Sequence, residues 1–87
     1  QNGIEDFVKI KLTEDECAKI CEAIGIKAYG LKDCGGSVSM LIDRVMDDEG
    51  FKAANTKAGM PDDYNIARMP DYAAIAVFKA LAAIRKA

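Results

Sequence analysis

The chain has 87 residues, a size at which one hydrophobic core only just offsets chain entropy, so a single small domain is expected and a second copy is a natural source of further burial. Hydrophobic residues make up 51% of it, with 7% aromatics and no Trp, which predicts a small, aliphatic, helix-rich core. Twelve basic against 14 acidic residues leave a net charge of -2, which excludes a molecule whose overall field gathers polyanions and requires any nucleic-acid contact to come from a local basic patch.

The first element is Phe7-Val8-Lys9-Ile10-Lys11-Leu12. Its alternation puts Val8, Ile10 and Leu12 on one face and Phe7, Lys9 and Lys11 on the other, the pattern of a half-buried strand. No other segment reads as a strand, and a lone strand leaves backbone groups unpaired. Pairing with the same strand of a second copy is the simplest remedy.

Thr13-Glu14-Asp15-Glu16 follows as a capping box, with Leu12 and Cys17 in the places of a hydrophobic staple. Cys17, Ile20, Cys21 and Ile24 then keep helical spacing, so both cysteines are expected on the inward face. Three cysteines do not close a disulfide framework. They read as buried, reduced core residues; the alternatives are a disulfide or a metal site, which in a chain without His would need three thiolates and a carboxylate such as Asp33. Gly25 ends the first helix, and Ile26 to Asp33 form a connection with room for a short helical turn.

The second helix is expected from about Ser37 to Glu49, stopping at Gly50, with Val38, Leu41, Ile42, Val45 and Met46 as its apolar stripe. Ser37 or Ser39 caps its start, and such a start also suits phosphate. Asp47-Asp48-Glu49 in its last turn opposes the helix dipole, and Lys52 or Lys57 are candidate compensators. Phe51 to Ala58 reads as a loop or weak helix. Met60-Pro61 and Met69-Pro70 each place Pro at a first helical position. Asp71 to Lys86 is an Ala-rich helix with Ile75, Phe78, Leu81 and Ile84 as bulky positions, expected to dock on the core or on a partner.

The order of alternating Val8, Ile10 and Leu12, the Thr13 cap, and Gly36-Ser37-Val38-Ser39 with Ile42 four residues after Val38 resembles the ribbon-helix-helix DNA-binding proteins of the Arc/MetJ group, over about residues 7–50. The resemblance implies a mainly α fold, in which one N-terminal strand pairs across a dimer, followed by two core helices. Residues 1–50 would form this core and 51–87 a helical C-terminal extension of the same compact domain. It also implies an antiparallel ribbon in the DNA major groove, a docking mode that belongs to the family. Phe7, Lys9 and Lys11 would then meet base edges, and Ser37, Val38 and Ser39 would hold backbone phosphate.

The expected function is therefore a homodimeric binder of double-stranded DNA, such as a transcriptional repressor, an antitoxin or a mobile-element accessory factor. The alternative is a protein-interaction module, a partner-binding or inhibitor protein with an acidic surface and no DNA binding; a partner bound through the C-terminal helix is compatible with both. An enzyme is not expected, because the chain has no His, no Gly-x-Ser-x-Gly elbow and no Gly-rich phosphate loop; no cofactor and no metal are expected either. No apolar run approaches the roughly 20 residues that span a bilayer and no secretory signal pattern precedes the first element, so a cytoplasmic location and no membrane partner are the expectation.

Overall fold

A computed structural model describes residues 9–27 and 36–86. Four helices form the described fold: α1 (Glu14–Ile24), α2 (Val38–Asp47), α3 (Glu49–Asn55) and α4 (Asp62–Lys86). The mainly α expectation holds. Helix α4 is the centre of the packing, since α1, α2 and α3 all lie against it. The core joins Leu12, Cys17, Ile20 and Cys21 to Val38, Leu41, Ile42 and Val45, and closes them with Phe51, Met69, Ala73, Val77 and Leu81. The final helix is thus the element on which the two motif helices meet.

Local chemistry sets the ends of α1. Thr13 Oγ1 accepts from the Glu16 N–H at 3.1 Å and Glu16 Oε1 accepts from the Thr13 N–H at 3.0 Å, completing the expected capping box. At the other end Gly25 takes φ +87°, a left-handed conformation that costs a residue with a Cβ. Its N–H reaches Glu22 O and the Ile26 N–H reaches Cys21 O, a pairing that satisfies the last carbonyls. Cys17 and Cys21 are fully buried, as their spacing required; Cys34 lies outside the described residues.

Among the described residues the predicted strand does not form. Phe7 and Val8 lie outside the described residues, and the described ones show one isolated antiparallel bridge, Lys11 with Ser37. The Leu12 N–H donates to Gly36 O at 2.7 Å and the Val38 N–H to Ile10 O at 3.1 Å. Within one chain, then, the Leu12 N–H and the Ile10 carbonyl are satisfied by the entry to α2. The alternation itself is kept: Leu12 is buried and Ile10 packs on the core, while Lys9 and Lys11 are exposed.

The boundary between the second helix and the segment after it also differs from the sequence reading. Helix α2 stops at Asp47, and Asp48 serves as its C-cap and as the N-cap of α3, with Oδ2 accepting from the Phe51 N–H at 3.0 Å. This accounts for the acidic run, because Asp48 and Glu49 sit at the favourable N-terminal end of a new dipole, and Lys52 pairs with Glu49 at 3.5 Å. Gly50 lies inside α3, whose Phe51 is buried, so of the two readings of the segment after Gly50 the helix applies as far as Asn55, and Thr56 to Ala58 lie beyond it.

Pro61 precedes α4 as expected, whereas Pro70 lies inside it. A proline there removes a bond to the carbonyl four residues earlier. That carbonyl belongs to Ile66, and both Ile66 and Pro70 are exposed, so solvent can satisfy the freed group while buried Met69 and Ala73 hold the helix on the core. Of the expected bulky positions on this helix, Leu81 is buried and Ile84 packs on the core. Ile75 and Phe78 instead face outward, 52% and 56% exposed. Between Met69 and Leu81 the buried face carries the shorter side chains Ala73, Val77 and Ala80.

Candidate nucleic-acid interface

The Lys11–Ser37 bridge brings together two of the side chains implicated by the resemblance. Lys9 and Lys11 are exposed, Ser37 is half-buried and Ser39 is exposed. Ser37 has the extended backbone of an N-cap (φ -126°, ψ 154°), and its Oγ accepts from the Met40 N–H at 3.3 Å. The segment ahead of α1 and the N-terminus of α2 therefore lie side by side, with Lys11 across from the hydroxyl-capped helix start and Lys9 two residues before it.

Val38 does not fit the role expected of it. Its side chain is fully buried in the core, and its N–H is already given to Ile10 O, so neither part is placed to hold a phosphate. Its packing instead fixes the position of Ser37 and Ser39. Phe7, the third expected base reader, lies outside the described residues.

Sequence reasoning missed the residue that closes the far side of the segment ahead of α1. Arg85, near the end of α4, donates from Nη2 to the Lys11 carbonyl at 3.1 Å, and from Nε and Nη2 to the two Glu16 carboxylate oxygens at 2.9 and 3.1 Å. Because alternate residues of an extended segment aim their backbone groups to opposite sides, Lys11 O points away from the Gly36–Val38 side. Arg85 holds that opposite edge. Its guanidinium, together with the Thr13 N–H, keeps the Glu16 carboxyl below the ordinary carboxylate range, and Glu16 in turn makes Arg85 harder to deprotonate. Neither Arg85 nor Glu16 carried a local signal for this contact, which spans 69 residues of chain.

A second polar assembly surrounds the start of α4. Asn65 is a buried polar residue there; its Oδ1 accepts from the Lys57 N–H at 2.8 Å and its Nδ2 donates to Pro61 O at 3.2 Å and, at a long 3.5 Å, to Met60 O. The loop between α3 and α4 is thereby fixed to the helix, with Lys57 beside Tyr72.

Scans against protein-family models, curated proteins and solved structures find no match to this chain. Among the described residues, no helix is long and apolar enough to cross a membrane.

Proposed function

We propose that this chain is a DNA-binding protein of the ribbon-helix-helix kind, acting as a two-fold homodimer in transcriptional control or a related accessory role. Lys9 and Lys11 face base edges, and the Ser37 and Ser39 start of α2 faces backbone phosphate. The observation that supports this reading is the Lys11–Ser37 bridge, which brings a residue proposed to meet bases beside one proposed to meet phosphate. A ribbon with a second copy would use the backbone edge of Lys9 and Lys11, since the Ile10 and Leu12 edge is taken within the chain. Arg85 must then release the Lys11 carbonyl. One side-chain hydrogen bond at the surface is a small barrier to such an exchange.

The test is binding to duplex DNA over a salt series. Affinity should fall steeply with salt, in proportion to the phosphates contacted, and Lys9→Ala/Lys11→Ala should abolish it while the dimer persists. Absence of binding at low salt, or a folded monomer at micromolar concentration in sedimentation, refutes the reading.

One observation favours the alternative, a module that binds a protein partner. Helix α4 exposes Ile66 at 72% and Ile75 at 52%, and Ile66 borders an open cleft of about 390 Å³ shared with Met46, Lys52, Asp62 and Met69. Under that reading Lys9 and Lys11 only keep an exposed edge wet, and Ile66→Ser/Ile75→Ser would abolish partner capture without altering the DNA assay.

A further inference from the structure

The richest polar cluster away from the Lys11–Ser37 edge lies on the first half of α4. Tyr64, Arg68 and Tyr72 follow at intervals of four residues and so share one helix face. Lys57 reaches that face from the preceding loop, held by the bond from its N–H to buried Asn65. The Arg68 guanidinium carbon stands 5.9 Å from the centre of the Tyr64 ring, and Lys57 Nζ stands 5.6 Å from the centre of the Tyr72 ring.

Lys57 thus places its charge over the Tyr72 ring, on the helix face that Tyr72 shares with Tyr64 and Arg68. As a consequence Tyr72 ionises more readily than an ordinary phenol, chiefly through Lys57, and Lys57 holds its proton more firmly, chiefly through Tyr72. The two rings are half-buried and the two cations exposed, so the donors open to solvent while their supports are packed. Asp71 is the acid in contact, 3.1 Å from Arg68 Nη1, and its single charge leaves the cluster net positive.

We propose that Lys57, Tyr64, Arg68 and Tyr72 form a binding site for a phosphate group. The ammonium and guanidinium supply charge, and the two phenol hydroxyls turn their protons toward phosphate oxygens. A group with several acceptor oxygens suits two cations and two phenols drawn from one helix face and the adjoining loop better than a planar carboxylate does. Arg85 lies 17 residues further along α4, about 26 Å at the helical rise. The phosphate site is therefore separate from the Lys11–Ser37 edge and does not depend on the DNA reading.

The test is NMR on the full chain, titrated with inorganic phosphate against chloride at equal ionic strength, following the Tyr64 and Tyr72 rings and Arg68 Nε. Saturable shifts at these groups are expected in phosphate and not in chloride. Lys57→Gln/Arg68→Gln should weaken the binding about tenfold, while Lys19→Gln, which removes a lysine paired with Asp15 on α1, leaves it unchanged. Parallel titrations with a nucleoside monophosphate and a duplex oligonucleotide identify the source: similar affinity for phosphate and nucleotide indicates a free phosphorylated ligand, and tighter oligonucleotide binding at the same resonances indicates nucleic-acid backbone. Should the charge variants unfold, Tyr64→Phe/Tyr72→Phe keeps the rings and should still weaken binding. Shifts that never saturate, or saturable binding that these variants leave untouched, overturn the proposal.

Discussion

Asn65→Ala is the sharpest probe of how this fold sets the position of a charged side chain. The substitution removes the acceptor for the Lys57 N–H and the donor to Pro61 O and Met60 O. Solvent replaces these bonds only in part, since Asn65 is 5% exposed. Leaving a partly buried donor and acceptor without partners costs about 2 kcal/mol. For a domain of this size that corresponds to a fall of roughly 10 °C in Tm, read by circular dichroism. A second readout separates the loop from the fold as a whole. With Lys57 no longer held beside Tyr72, the phenol should ionise at a higher pH than in the parent chain, seen in the phenolate absorbance, with Tyr72→Phe identifying the transition. A variant that melts like the parent and keeps its tyrosine titration refutes the view that Asn65 fixes this loop.

Leu81→Ala and Ile75→Ala should differ sharply although both were bulky positions of one helix: Leu81 is 4% exposed and Ile75 52%. Chemical denaturation should show a loss of about 3 kcal/mol for the first and less than about 0.5 kcal/mol for the second. Glu16→Gln tests the clamp by pH. Because the Glu16 pKa is lowered in the fold, its contribution is fully present above the ordinary carboxylate value of 4.5 and is lost as pH falls through the lowered one. The Tm gap between parent and variant should therefore narrow on acidification; a gap constant with pH argues against the ion pair. Arg85→Ala frees the Lys11 carbonyl, so sedimentation should show stronger self-association if the ribbon uses that edge, and unchanged association if it does not.

Much of the local structure was legible because its causes lie three or four residues apart. The Thr13–Glu16 box, the Gly25 end and the inward Cys17 and Cys21 follow from groups that meet within a single turn. The acidic run at Asp47 to Glu49 was visible but misassigned. Reading it as the end of one helix hid Asp48 as the start of another, because the seven residues of α3 are too few to show a clear apolar period. Of the candidate site, the exposure of Lys9, Lys11 and Ser39 followed from alternation and capping. The burial of Val38 was legible in its own apolar stripe, and the role given to it through the resemblance conflicted with that stripe.

By itself, then, the sequence determined where α1 begins and ends, which face of it turns inward, and that Lys9 and Lys11 stand opposite Ile10 and Leu12. Tertiary structure alone decided that α4 runs through Pro70, that Ile75 and Phe78 point outward while alanines face the core, and that Arg85 spans to Glu16 and Lys11. The reason is the range of the forces involved. Caps and periodicity act over one or two helical turns, whereas the choice of buried face on an Ala-rich helix, and the partner of a long side chain at its end, depend on which distant elements come to lie beside it.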